Sequence, residues 1–162
     1  MSTAAAPKRS RRRFDSPQQE AFLALWRTYD RLRAYEDELF ARFELTPQQY
    51  NALRLLRAEH PEPLPTLMLA ERLVSRAPDI TRLLDKLEER ILITRTRPPE
   101  NRRSVLVALT DPGFALLDRI AAPLKACHAK QLGHLNGTEL EKLIGLLRLA
   151  REPHEPEHSI WK

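Results

Sequence analysis

One cysteine, four glycines and 6% aromatic residues leave this 162-residue sequence short of several common scaffolds. A lone thiol, Cys127, excludes an internal disulfide and fits a reducing compartment. So few glycines supply no phosphate-cradling loop and argue against a sheet-rich enzyme fold. No apolar run approaches the ~20 residues that span a bilayer, so no membrane partner is expected. The N-terminus is basic but lacks the apolar segment of a secretion signal, which gives a cytoplasmic expectation. Acid is missing from the start of the chain, where Lys8, Arg9, Arg11, Arg12 and Arg13 stand. Setting those five aside leaves 22 basic residues against 22 acidic ones, so the tail carries the long-range positive charge. Its composition predicts a disordered basic tail over residues 1–15, which serves either as a solubiliser or as an attractor for a polyanion.

Catalytic chemistry is missing as well. No Ser, His and Asp surround a nucleophile turn, and no paired carboxylates sit in a glycine-bounded loop, so neither an enzyme nor a cofactor is expected. His154-Glu155-Pro156-Glu157-His158 matches the H-E-x-x-H zinc pattern in letters only. That chemistry needs both imidazoles on one helical face, and Pro153 and Pro156 deny the helix. No metal site is expected, and His60, His128 and His134 read as ordinary histidines. Cys127 reads either as a redox-sensing thiol helped by Lys125, His128 and Lys130 or, more simply, as a small buried residue among Ala122, Ala126 and Ala129.

What the chain does hold is helical periodicity. From Pro17 to Phe43, residues Phe22, Leu25, Tyr29, Leu32, Leu39 and Phe43 form a near-heptad stripe, with Trp26 alongside and Glu36 its one polar interruption. A seam that long exceeds what a small core covers and calls for a partner helix. Thr46, Pro47 and Gln49 spell an N-cap, a first-position proline and a capping-box partner for a helix ending near His60. Pro61, Pro63 and Pro65 then form a stiff connection. After Asp111-Pro112 a further helix carries Phe114, Leu117, Ile120, Ala121, Leu124 and Leu132. Asn136 and Glu139 cap the last, with Leu140, Leu143, Leu146, Leu147 and Ala150. Residues 153–162 are expected to be an extended, mobile C-terminal tail.

The densest information lies in residues 69–110. Leu69, Ala70 and Leu73 predict a short helix. After the break at residues 74–77, the stretch 78–91 predicts a second, started by Pro78, with Ile80, Leu83, Leu84, Leu87 and Ile91 on its core face. A hairpin follows, with strands over 92–97 and 104–109 and a basic tip. Between residues 76 and 103 the balance is eight basic to five acidic. Helix, turn, helix and basic hairpin is the order of a winged helix-turn-helix, whose second helix enters the DNA major groove. The expected fold is therefore mainly α with a small β-hairpin wing. Residues 46–110 form the DNA-binding domain, and 16–45 with 111–152 form dimerisation helices.

The chain from about residue 17 to 152 resembles the MarR family of bacterial winged-helix transcriptional regulators. The resemblance rests on four runs. They are Leu45-Thr46-Pro47-Gln48-Gln49-Tyr50; Leu69-Ala70-Glu71-Arg72-Leu73; the recognition-helix run from Pro78-Asp79-Ile80-Thr81 to Leu87-Glu88; and Asn101-Arg102-Arg103 with Val107-Ala108-Leu109-Thr110. It implies a homodimer whose outer helices interlock, and two recognition helices facing successive major grooves of a pseudo-palindromic operator, most often as a repressor. It also implies a small aromatic or phenolic effector between the dimerisation helices and the winged-helix lobe, where Trp26, Tyr29 and Tyr50 are candidates that also suit a core. The sequence departs from the family pattern twice. Asn101 stands where Asp usually anchors the wing, which weakens any bond to a nearby Arg. Ile91 stands where Gly usually ends the recognition helix; a β-branched residue resists positive φ, so the C-cap geometry is left open.

Residue types assign the expected DNA contacts. Arg76 and Arg82 suit guanine edges, since a guanidinium bonds bidentately to O6 and N7. Ala77 and Pro78 suit a thymine methyl, with Asp79 beside them at the helix start. Thr81 and Lys86 suit phosphates, which position the protein without reading sequence. Arg102 suits the minor groove or backbone, and Arg97 and Arg103 suit phosphates or bracing of the wing. Against this, Asp85, Lys86, Glu88, Glu89 and Arg90 can equally form a solvated, self-paired face. A rival from another class is a helical dimeric protein-interaction module that uses its hairpin as scaffolding.

Overall fold

The computed structural model describes residues 14–75, 77 and 79–162. The five tail cations, Arg76 and Pro78 lie outside the described residues. In chain order the elements are α1 (Pro17–Ala41), α2 (Pro47–Glu59), β1 (Leu64–Pro65), α3 (Thr66–Arg72), α4 (Ile80–Glu89), β2 (Ile93–Thr96), β3 (Leu106–Leu109), α5 (Asp111–Leu132) and α6 (Gly137–Arg151). A 3-10 turn over Glu152–His154 follows α6.

Two units partition the chain, residues 1–34 and 35–162. In the first, the Ser16 hydroxyl accepts the Gln19 N–H at 3.1 Å to start α1. Phe22, Leu25, Trp26 and Tyr29 are all exposed there, and the Phe22 and Trp26 rings sit 6.2 Å apart.

The second unit holds the core. The capping box expected at Thr46 forms: its hydroxyl accepts the Gln49 N–H at 3.1 Å, and Gln49 Oε1 accepts the Thr46 N–H at 2.9 Å. Leu53 of α2, Leu69 of α3, Leu84 and Leu87 of α4, Ile93 and Val107 of the sheet and Ile120 of α5 are completely or almost completely buried together. Burying each such side chain stabilises by about 1.5–3 kcal/mol, so these residues lock α4 against the sheet and α2.

Several boundaries depart from the sequence reading. α1 ends at Ala41, not Phe43, because the chain turns through a left-handed Glu44 (φ +53°). α3 begins three residues earlier than expected, at Thr66. α4 begins at Ile80 and ends at Glu89, because the Asp79 carboxylate accepts the Arg82 N–H at 2.9 Å and so stands outside the helix as its N-cap. The hairpin strands are shorter than expected, and the sheet has three strands in the order β1-β3-β2. The sequence alone makes β1 part of a stiff connection; instead Leu64 pairs with Val107 and Pro65 with Leu106. Pro65 fits there because β1 is an edge strand, where a missing N–H costs no ladder bond.

The Thr110 hydroxyl accepts the Gly113 N–H at 3.1 Å and starts α5, which continues through Pro123 with Ile120, Leu124 and Cys127 buried on one face. The Asn136–Glu139 capping box at α6 forms as expected. α6 buries none of its residues within the chain, and Ile144, Leu146, Leu147 and Leu149 stay exposed. Residues 153–162 are not extended: the Arg151 guanidinium turns them back, donating to the Trp161 carbonyl at 2.8 Å and pairing with Glu155 at 3.3 Å.

Candidate nucleic-acid interface

α4 is amphipathic in the strict sense. Leu83, Leu84 and Leu87 are buried, while Thr81, Arg82 and Lys86 face outward. Among the described residues, Arg82, Lys86, Arg102 and Arg103 have no carboxylate partner, so their charges are free for an external anion. Ala77 is half-buried and packs against the core. Asp79 is exposed but spends one oxygen on the helix cap.

The turn that precedes α4 is fixed from α2. Asn51 Oδ1 accepts the Val74 N–H at 3.0 Å, and Gln48 Nε2 donates to the Ser75 hydroxyl at 3.1 Å. An Arg72–Glu59 ion pair at 2.5 Å holds α3 to α2 beside them. Sequence reading missed the roles of Gln48 and Asn51, half-buried on α2, because a polar helix residue carries no mark of what it touches.

The wing is braced by its own arginines. Arg97 Nη1 donates to the Arg102 carbonyl at 3.2 Å, so Arg97 shapes the tip that presents Arg102 and Arg103. Backbone bonds from Asn101 to the Pro98 carbonyl and from Ser104 to the Asn101 carbonyl close that tip. A groove of about 590 Å³ separates α4 from the wing, with Thr66, Leu67, Thr81, Arg95, Arg97 and Arg103 among its walls.

Sequence reading also missed Arg95. Its guanidinium bonds Glu88 from Nε at 2.9 Å and Asp85 from Nη2 at 2.6 Å, tying β2 to α4. The bond from Arg95 holds the Glu88 carboxyl below its ordinary 4.5, and Glu88 with Asp85 keeps Arg95 more firmly charged. The pattern did hold a signal: Arg95 lies two residues after buried Ile93, on the same face of the strand. Arg95 thus offsets part of the charge of two α4 acids, while Arg82 and Lys86 share the outward face with exposed Glu89.

Tyr50, one of three candidates for an effector site, stacks on Phe40 with ring centroids 4.6 Å apart, and burial raises its phenol pKa. Trp26 and Tyr29 stay exposed on α1. Cys127 is 7% exposed, and desolvation, helped by Glu36, pushes its thiol upward, away from the thiolate that an oxidant attacks. His154 lies in the 3-10 turn and His158 beyond it, so they share no helical face. No helix among the described residues is long and apolar enough to cross a membrane.

Known proteins are similar to this chain in sequence and fold. The model of the MarR family matches residues 45–105, from just before α2 to the end of the hairpin tip that precedes β3. A crystal structure of a MarR transcription factor from Planctomyces limnophilus is 59% identical, covers 85% of this chain and 99% of its own, and superposes with a TM-score of 0.67. An uncharacterized HTH-type transcriptional regulator of Bacillus subtilis, YkoM, is 33% identical over 64% of this chain. The match spans 66% of YkoM, just under two thirds of its length. A mutant of MarR from E. coli, in a crystal with operator DNA, is 21% identical, with a TM-score of 0.72 over 81% of this chain and 93% of its own; it shares the fold.

Proposed function

Since this chain belongs to the MarR family of transcriptional regulators, and is therefore a regulator rather than an enzyme, we propose that it represses transcription by binding a pseudo-palindromic duplex operator as a homodimer. One observation carries the reading. α4 turns Thr81, Arg82 and Lys86 outward, with Glu89 also exposed, while Asp85 and Glu88 bond Arg95. In this reading Arg82, with Arg76 in the preceding turn, meets base edges, and Thr81 and Lys86 meet phosphates. Ala77 and Pro78 suit a thymine methyl, with Asp79 beside them in sequence at the start of α4. Arg102 follows the adjacent minor groove or backbone, with Arg97 and Arg103 supporting it.

Dimerisation is supported by apolar faces left uncovered within one chain: Phe22, Leu25, Trp26 and Tyr29 on α1, and Ile144, Leu146 and Leu149 on α6. A small aromatic effector completes the proposal, with exposed Trp26 and Tyr29 the residues to vary first; Tyr50 already has a packing partner. A ligand preferring a dimer with misspaced recognition helices releases the operator to the extent of its differential affinity.

The test is a salt series on a duplex selected from a random pool by the full-length protein. Wild type should lose affinity steeply with salt, and Lys86→Ala should lower the slope by about one. Arg82→Ala should cost about 1–3 kcal/mol on the selected duplex and little on a scrambled one. A salt-independent association, or equal losses on both duplexes, removes the reading in favour of a protein-interaction module.

A further inference from the structure

Two helices of this chain end in the same unusual way. α1 closes with the Leu45 N–H on the Phe40 carbonyl at 3.0 Å and the Glu44 N–H on the Ala41 carbonyl at 3.1 Å. α4 closes with the Leu92 N–H on the Leu87 carbonyl at 3.0 Å and the Ile91 N–H on the Glu88 carbonyl at 2.8 Å. Both are Schellman motifs, and both place a non-glycine residue in the left-handed region: Glu44 at φ +53° and Ile91 at φ +57°. The residue after each, Leu45 and Leu92, is buried and anchors the turn.

One side chain joins the two motifs. Arg90, the C-cap of α4, reaches across to α1 and donates from Nη1 to the Glu44 carbonyl at 2.6 Å and from Nη2 to the Phe43 carbonyl at 3.1 Å. These are carbonyls that the end of α1 cannot satisfy internally, and a planar fork with two parallel donors suits them where an ammonium does not. From the other side, the Thr110 hydroxyl that caps α5 donates to the Ile91 carbonyl at 2.6 Å. The C-terminal end of α4 is therefore held at one joint to the end of α1 and to the start of α5.

We propose that Arg90 is a positioning residue for operator recognition: by clamping the end of α4 to the end of α1, it sets the distance and angle at which each recognition helix stands from the twofold scaffold, and hence the half-site spacing the protein accepts. The inference rests on the dimeric DNA-binding reading above. It follows from the geometry because a one-base-pair change in spacing moves a half-site by about 3.4 Å and turns it by roughly 35°. Only a stiff joint discriminates against so small a change. Arg90 itself need not touch the duplex.

The experiment uses the full chain and a duplex selected from a random pool, remade with half-sites one or two base pairs closer or further apart, and a duplex with a single half-site. Wild type should fall about tenfold or more in affinity for a one-base-pair change. Arg90→Ala should bind the single half-site within about twofold of wild type yet lose no more than about threefold on the respaced duplexes. Arg90→Lys, offering a single point donor, should fall between. Ile91→Gly keeps the clamp and should keep wild-type discrimination, which separates the clamp from the backbone strain beside it. Thermal melts confirm that each variant folds, and Arg90→Lys stands in if the alanine variant does not. Wild-type spacing discrimination in the Arg90 variants, or an equal loss on all duplexes including the single half-site, overturns the inference. A wild-type protein indifferent to spacing would instead overturn the twofold reading beneath it.

Discussion

The Arg95 guanidinium on β2 grips Glu88 on α4, with Nε 2.9 Å from Oε2, and this pair with Asp85 ties the hairpin to α4. The network is partly exposed, so screening limits its worth to about 0.5–1 kcal/mol of stability. Its larger effect is electrostatic. Arg95→Ala should weaken duplex binding several-fold more than it destabilises the fold, because it removes the positive charge that offsets Asp85 and Glu88 on α4. Urea melts and duplex titrations on the same preparation check this; matching losses would reduce Arg95 to a structural brace.

The same pair predicts a pH dependence. Glu88 has a folded pKa below its ordinary 4.5, so its contribution is complete above that value and is lost as pH falls through the lower folded value. Glu88→Gln should therefore be less stable than wild type near neutrality and converge with it once the pH has fallen below that lowered folded value. Urea midpoints across pH 3–7 measure it. A difference that stays constant with pH contradicts the ion pair.

Ile91 sits at φ +57° with its side chain 67% exposed, so it suffers the left-handed backbone and gains little burial in return. Ile91→Gly should stabilise the protein by about 1 kcal/mol, the relieved strain exceeding the added chain entropy of glycine. Denaturant melts decide the sign. Ile91→Val, which stays β-branched, should show no gain.

Gly113 lets the start of α5 pass close to the sheet. A Cβ there would clash with the Leu92 carbonyl and come within 2.7 Å of Leu109 Cδ1. Gly113→Ala should cost about 2 kcal/mol or more, because backbone cannot give way as a flexible side chain does. Gly145 has open space where a methyl group would stand and serves as the control: Gly145→Ala should be neutral or mildly stabilising.

Cys127 should react slowly with thiol reagents in the native protein and quickly in urea, since burial disfavours its thiolate. Duplex binding by the Cys127→Ser variant and by peroxide-treated wild type should match untreated protein. A loss on oxidation that the serine variant escapes would restore a redox role.

Much of the fold is written in short-range pattern. Thr46 with Gln49, Asn136 with Glu139 and the Leu83-Leu84-Leu87 stripe each lie within one turn of helix, where spacing alone dictates which groups meet. Arg82 and Arg102 both stand exposed and, among the described residues, without a carboxylate partner, although Asp79 and Asp85 lie three residues either side of Arg82.

Contacts between distant segments were not legible. Leu64 and Pro65 look like linker until Val107 and Leu106 offer a strand to pair with. Ile91 resists a left-handed turn locally, yet adopts it because burial of Leu92 and its bond to the Leu87 carbonyl outweigh that preference. Arg90 and Arg95 are ordinary surface cations in the chain and find their partners, Phe43, Glu44, Asp85 and Glu88, only when α4 is packed in place. Local periodicity and caps determined the helices and the order that marks the family. The third strand, the strained joint at Ile91 and the internal use of Arg90 and Arg95 were decided by tertiary packing, because their energy comes from groups that the chain alone does not bring together.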